Sequence, residues 1–593
     1  MSVRTSDEGI AARELNPDSI ADRTTVGVFF RQAARYGDRP LINYRAGEAW
    51  KVATWTDMRR NILAVASALV EAGIKQGDCV VLMGANCLEW VCCDFAIQAA
   101  GGVAVPIYSG TVPEVAQTIV ANCDAVMAIV SDAKMATKLK PTDTLRSIVR
   151  MDAEVAQWVA QPPKHQDEVI ARLERIQPDD LCTIVYTSGT TGDPKGAELA
   201  HRSVVDVTRA VIKVHPLTDS DTTLSWLPFS HVFERINGMF TLLLFGGQTW
   251  LSHVDRLAED LAEVQPTILL SVPRVYEKMH SRVMDRVREA PKFRRALFDW
   301  AIGVGTRFSH ELHPGPVLKA QHRLAEGLVL EPLRKRLVGG KLRFFISGGA
   351  ALAREIEEFF WAIGVPILNG WGMTETSSGA CSNTLTQHRF LTVGKPFPGI
   401  ELKLEKDGEI LVMSPGNMLG YHKNPIATTE MLDNGWIRTG DIGEIDADGF
   451  LKITDRKKDL IKTAGGKYVA PQQLEFEIQR DDLVEQAVII GEGKPYVTAL
   501  IVPDWAAVTK RVSGRPEDLI DDKRVIALIE QGVEAVNKRV GNWEAIKYFT
   551  LLPRAFNEEA GEITSTLKIK RKVIAQRYAD QIDSMYAGKK RPA

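Results

Sequence analysis

Residues Thr187 to Gly196 read TSGTTGDPKG, directly after the apolar run LCTIVY, which ends at Tyr186. Glycines and small hydroxyl residues let backbone N–H groups and side-chain hydroxyls approach phosphate oxygens closely, and a lysine adds positive charge. Thr187, Ser188, Gly189, Thr190, Thr191, Gly192 and Lys195 therefore have the composition of a polyphosphate cradle. The spacing is not that of G-x-x-x-x-G-K-[ST], because the lysine follows Asp193-Pro194, which disfavours a P-loop hydrolase. By itself the decapeptide reads equally well as a polar surface loop.

Further motifs follow in order: LPFSHVFER (Leu227 to Arg235), SGGA (Ser347 to Ala350), GWGMTET (Gly370 to Thr376), RTGD (Arg438 to Asp441), DRKKDLIKTAGGKYVAP (Asp455 to Pro471) and TLKIKRK (Thr566 to Lys572). Together with the first loop they run in order from Tyr186 to Lys572. On these residues the sequence resembles the adenylate-forming superfamily of acyl-CoA synthetases, luciferases and peptide-synthetase adenylation domains, over nearly the whole chain, and its stretch from Met279 to Lys341 resembles, within that superfamily, the long-chain fatty acyl-CoA synthetases.

The resemblance implies the remaining roles. In Gly370, Trp371, Gly372, Met373, Thr374 and Glu375 it places an adenine-stacking ring at Trp371, an α-phosphate hydroxyl at Thr374 and a hard oxygen for Mg²⁺ at Glu375, with Thr187 as a second metal position. Gly348 and Gly349 would wall the adenine and the acyl carboxylate, and His231 would stand beside that carboxylate. Read blandly, the histidine is a satisfied core residue. Asp441 would accept both ribose hydroxyls, and Arg456 would also touch ribose, although DRKKD alone is a solvated charge run. Lys458 occupies the family's hinge position, and Gly465 and Gly466 would line the thiol tunnel, with Lys462 a further candidate for that step. Lys568 matches the family's catalytic lysine even though Leu567 replaces the usual glycine before it, with Lys570 as fallback and a solvated basic tail as the plain alternative. The implied co-substrates are ATP and coenzyme A, with Mg²⁺.

These residues need elements to hold them. From Val26 to Val130 amphipathic helices alternate with short apolar strands, and the strands LCTIVYTSG, TTLSWLPFS, TILLSVPR and LRFFISGG each end in Gly, Ser or Pro, where open α/β sheets place ligands. The expected fold is therefore α/β: a large N-terminal domain over 26–454, β-rich from about 396, after a loose tail over 1–25. A smaller mobile α+β domain follows over 455–593, hinged near 455–458. KDGEILV and the DADG before FLKI mark tight turns in the β-rich part.

At 593 residues, 45% hydrophobic, 25% charged and a net charge of −2, the chain reads as a globular protein without a global pull toward nucleic acid. Seven cysteines, odd in number and without C-x-x-C spacing, read as reduced thiols in a cytoplasmic setting. No run reaches the roughly 18 apolar residues of a membrane span. The stretch from Met279 to Lys341 resembles the long segment of long-chain members. Phe293, Leu297, Trp300, Ala301, Val304 and Phe308 share one helical face there. That face is expected to be buried or, alternatively, to serve acyl entry or peripheral contact with a membrane. The expected substrate is a long-chain fatty acid. Alternatives are a fatty acyl-AMP ligase serving a carrier protein and a non-catalytic nucleotide-binding regulator.

Overall fold

The computed structural model describes residues 20–187, 194–311, 313–457, 459–557, 560–563 and 569–587. The chain divides into two compact units: residues 1–403, 411–439 and 447–451 form the first, and 404–410, 440–446 and 452–593 the second. Four of the five boundaries fall within the strands Glu401–Leu404, Glu409–Met413, Trp436–Ile445 and Leu451–Arg456, and the fifth follows Asp446.

Two mixed sheets organise the first unit. Short continuous apolar runs such as CVVLM, MAIV and FFIS are strands buried on both faces, the pattern that parallel strands require when helices cover them from either side. In the seven-stranded sheet the order is Gly420–Tyr421, Lys195–Ala200, Leu181–Thr187, Val103–Tyr108, Cys79–Gly84, Met127–Val130, Ser147–Arg150. The last five run parallel, whereas the first two pair antiparallel. The nine-stranded sheet has a parallel centre that includes Ile268–Ser271, Phe344–Ser347 and Ile367–Met373, and an antiparallel edge at Ser378–Ser382. Chain packing starts before the 25/26 boundary read from the sequence: Ile20 is buried, and Thr24 caps the helix Thr25–Tyr36 by accepting from the Gly27 N–H.

In the second unit Val484–Ile490 pairs antiparallel with Val497–Pro503, which pairs parallel with Ile546–Leu551. Side chains alternate across this sheet. Ala487 and Ile489 pack with Leu474, Ile529 and Val533 of the helices Pro471–Ile478 and Lys523–Asn537, while Val488 and Ile490 pack with Ile574, Ile582 and Met585. The turn glycines expected from KDGEILV and DADG are Gly408 and Gly449, at φ +83° and +86°.

The helix Lys292–His310 corrects one reading. Ala301 and Val304 are buried on its inner face and Phe308 stacks on His322 at 3.9 Å, but Phe293 is 69% exposed and Phe298 takes a buried place. Gly305 fixes the packing, because a Cβ there would lie 2.4 Å from the Ala362 carbonyl oxygen.

Candidate functional site

The phosphate-loop motif sits on the hairpin Leu181–Thr187/Lys195–Ala200, where Thr187 and Lys195 face each other across the strands. The Thr187 hydroxyl donates to the Lys195 carbonyl at 3.4 Å. Ser188, Gly189, Thr190, Thr191 and Gly192 lie outside the described residues. Gly196 lets the Tyr186 ring lie across the hairpin, since a Cβ would come within 2.9 Å of Tyr186 Cζ and 2.6 Å of an Ile184 methyl. The Tyr186 hydroxyl in turn donates to Asn122 at 2.6 Å.

GWGMTET forms the end of the strand Ile367–Met373, a 3₁₀ turn over Thr374–Thr376 and the return into Ser378–Ser382. Its sharpness is enforced locally. Ser377 and Ser378 adopt φ of 54° and 88°, the Thr376 hydroxyl donates to the Ser378 carbonyl at 2.9 Å, and Ser377 donates to the Gly416 carbonyl at 2.7 Å. Gly372 is required outright, because a Cβ would sit 1.7 Å from the Ser378 carbonyl oxygen. The turn leaves Trp371, Met373 and Thr374 half-buried and buries Glu375.

Glu375 connects to the hairpin through a residue that the sequence reading did not single out. Tyr421, on the short strand that pairs with Lys195–Ala200, donates its hydroxyl to Glu375 Oε1 at 2.6 Å. The Lys195 ammonium lies 5.4 Å from the centre of the same ring. Burial, reinforced by the Glu375 charge, pushes the Tyr421 phenol well above its usual range, so it remains a proton donor. Thr187, Lys195, Tyr421 and Glu375 thus form one connected group.

The other glycine motif joins them along the neighbouring sheet. Ser347 pairs with Asn369, which sets Gly348 beside Gly370 at the carboxyl ends of parallel strands. Gly349 is exposed at φ +87°, and Gly348 packs beneath the Phe233 ring, 3.1 Å from where a Cβ would be. Phe233 opens the π-helix Phe233–Phe240, two residues after His231. The His231 N–H donates to Pro228 and its carbonyl accepts from Arg235, both at 3.0 Å, and its ring lies 6.1 Å from that of Tyr108.

Beneath that π-helix lies a buried polar network. Arg235 donates from Nε to Asp94 at 2.9 Å and from Nη1 to the Thr183 hydroxyl at 2.7 Å, and Asp94 also accepts from Gln98. Gln98 accepts from Thr25, whose hydroxyl meets His201 Nδ1 at 2.7 Å. Burial lowers His201 to about 3, so this imidazole is neutral. Burial also raises Glu234 to about 8, opposed by its hydrogen bond from Ser225.

In the second unit, Arg456 Nε pairs with buried Asp441 at 3.0 Å. The next residue, Lys457, grips Asp407 and Glu409 at 2.6 and 2.8 Å, and Glu409 also accepts from the Gly440 N–H. Burial raises Asp455 to about 7. The Lys462 ammonium lies 5.6 Å from the Tyr468 ring centre, and the turn from Thr463 to Lys467 leaves open space at both Gly465 and Gly466. Lys458 and Lys568 lie outside the described residues. Either side of the Lys568 segment, Ile563 bridges to Ile569, and buried Glu562 accepts from Arg554, Arg577 and the Asn557 N–H. The fallback Lys570 is exposed and donates its N–H to the Glu562 carbonyl.

A family model described as AMP-binding enzyme matches residues 29–422, and one described as AMP-binding enzyme C-terminal domain matches residues 458–590. A protein of Mycobacterium bovis named long-chain-fatty-acid--CoA ligase FadD15 is 36% identical over 561 residues, covering 91% of this chain and 92% of that protein. Long-chain-fatty-acid--CoA ligase ACSBG2 of Xenopus laevis is 28% identical over 96% of this chain and 84% of its own length. Among solved structures, the anthranilate CoA ligase AuaEII in complex with anthranoyl-AMP superposes with a TM-score of 0.70 at 21% identity, covering 95% and 98% of the two chains. A Mycobacterium tuberculosis fatty acyl CoA synthetase superposes at 0.65 and 20% identity, covering 94% and 99%. At such identities the structural likeness speaks for the fold alone.

Proposed function

This chain belongs to the AMP-binding enzyme family, and from that premise we propose that it joins a long-chain fatty acid to AMP at the expense of ATP and then transfers the acyl group to coenzyme A. One observation carries the adenylating reading: a buried carboxylate, Glu375, is held by Tyr421 beside the Lys195 ammonium at the mouth of the phosphate-loop hairpin. The acid and the thiol are supported by the names of relatives that match over nine-tenths of the chain.

In the first step a carboxylate oxygen attacks the α-phosphorus and the bond to pyrophosphate breaks. Both reactants are anionic, so the barrier is largely repulsion and orientation, and positive groups aimed at the phosphates lower it. Lys195 and Thr187 hold the outer phosphates, Lys568 approaches the reacting oxygens, Thr374 donates to the α-phosphate and Trp371 stacks on adenine. Asp441 and Arg456 take the ribose, while Gly348, Gly349 and His231 flank the acyl carboxylate. No side chain needs to form a covalent bond.

Mg²⁺ fits this donor set. Among the described residues no group of three or more His, Cys, Asp or Glu forms a cage for a metal. Mg²⁺ is commonly held by one or two carboxylates together with substrate phosphates and water, and Glu375 supplies such a carboxylate, with the Thr187 hydroxyl as a second oxygen. When bound, the ion neutralises phosphate charge.

In the second step the coenzyme A sulfur attacks the acyl carbon and AMP departs with the electrons of the anhydride bond. Gly465 and Gly466 leave room for the pantetheine arm, with Lys462 nearby in sequence and Lys458 as the hinge. No helix among the described residues is long and apolar enough to cross a membrane, and all seven cysteines are free thiols. These facts support a cytoplasmic protein with at most peripheral membrane contact.

Incubation with ATP, Mg²⁺ and palmitate, with and without coenzyme A, tests the proposal. Palmitoyl-CoA and AMP are expected with the thiol present. Adenylate that accumulates despite coenzyme A would instead favour a carrier-protein acceptor, and no AMP at all would favour a non-catalytic regulator.

A further inference from the structure

Charge is distributed unevenly along this chain. Between Pro273 and Arg343 there are 16 Lys or Arg against 7 Asp or Glu, whereas the whole chain has a net charge of −2. The segment folds as the helices Pro273–Glu289, Lys292–His310, Pro316–Ala325 and Glu331–Val338, with a π-helical turn over Glu326–Leu330. The apolar face of Lys292–His310, expected to be buried or alternatively to serve acyl entry or membrane contact, packs into the core at Trp300, Ala301 and Val304. A different stripe remains outside. Val317, Leu324 and Leu328 are 70%, 56% and 54% exposed, and their spacing of seven and four residues puts them on one side of the Pro316–Ala325 helix and its π-helical continuation. Exposed Lys319 and Arg323 flank them. The preceding helix begins with exposed Phe293 between exposed Lys292 and Arg294.

We propose that this basic helical segment is a docking face for an anionic phospholipid surface, with Val317, Leu324 and Leu328 entering the headgroup region and Lys319 and Arg323 meeting lipid phosphates. Apolar side chains flanked by cations on an exposed helix face are what such a surface selects. Charge also argues against a second copy as the occupant, because two strongly basic faces repel. The proposal deepens the peripheral contact put forward above and does not depend on the identity of the acid or the thiol.

Flotation of the full chain with vesicles tests it. The protein should rise with equimolar phosphatidylcholine and phosphatidylglycerol, bind pure phosphatidylcholine at least about tenfold more weakly, and dissociate in high salt. Leu324→Glu/Leu328→Glu and Lys319→Glu/Arg323→Glu should each weaken binding to the anionic vesicles about tenfold or more. Val254→Glu, at an exposed residue of another helix, should leave binding unchanged. All three variants should form acyl-adenylate normally in the absence of lipid, which separates loss of docking from loss of fold. Absence of binding by the parent protein, equal binding to both vesicle types, or undiminished binding by the Leu324/Leu328 variant would overturn the proposal. So would concentration-dependent dimerisation that the same variant abolishes, since the face would then be a contact between copies.

Discussion

Glu375 and Tyr421 share a buried hydrogen bond of 2.6 Å, and removing its donor leaves a carboxylate short of a partner. A buried acceptor deprived of its donor costs about 1–3 kcal/mol. Tyr421→Phe should therefore lower kcat/KM for ATP roughly tenfold in a pyrophosphate-exchange assay, and unchanged kinetics would remove Tyr421 from the site. Gly372→Ala is expected to be worse for stability than for binding, because the added methyl meets a backbone oxygen that has nowhere to go. Overpacking of this kind costs about 1–3 kcal/mol or more, which in a unit of this size lowers Tm by about 1–3 °C. The sequence revealed Glu375 because it sits in a compact motif. Tyr421 was hidden for a physical reason: it lies 46 residues from Glu375, and only the antiparallel pairing of Gly420–Tyr421 with Lys195–Ala200 carries its ring there. For Lys568 and most of the phosphate loop the sequence remains the whole basis of the assignment.

At the scale of elements, the buried Arg235–Asp94 pair ties the π-helix that follows His231 to the helix Leu88–Ala99 and, through Thr183, to the strand that leads into the phosphate loop. Breaking a buried pair from one side costs about 3–5 kcal/mol, whereas replacing both partners with apolar groups is often tolerated. Arg235→Met should thus lower the urea midpoint sharply, and Asp94→Leu/Arg235→Met should recover much of the loss. If the two variants proved equally unstable, the pair would not be the cause. Glu234, on the same π-helix, has its pKa raised to about 8 by burial, so the folded protein keeps a proton that the unfolded chain releases above its usual value of 4.5. Stability from this group is full at low pH and declines as pH rises through that window. Glu357, also raised to about 8, and Asp455, raised to about 7, contribute with the same sign. Glu234→Gln should flatten, though not abolish, the fall in stability between about pH 5 and 8, measured by urea titration. The βα alternation was legible because buried strands are continuous apolar runs. The inner face of Lys292–His310 was legible only in part, since helical period alone does not say which edge of a wide stripe meets the core: Phe293 stands exposed, and Phe298, which the stripe left out, is buried.

The whole molecule comprises two units, and the two family models divide the chain between residues 422 and 458. The proposed chemistry assigns different residues of the second unit to its two halves, Lys568 to adenylation and Gly465 with Gly466 to thioester formation. That division is the central claim, and Lys568→Ala tests it most directly. Each half-reaction is measured by itself: acyl-AMP formation from palmitate and ATP, and palmitoyl-CoA formation from supplied palmitoyl-AMP and coenzyme A. Loss of a positive group that acts on the transition state costs about 10²-fold or more, so adenylation should fall by at least that factor while thioester formation stays within a few-fold of the parent enzyme. Equal losses in both half-reactions, or adenylation that survives the substitution, would contradict the account.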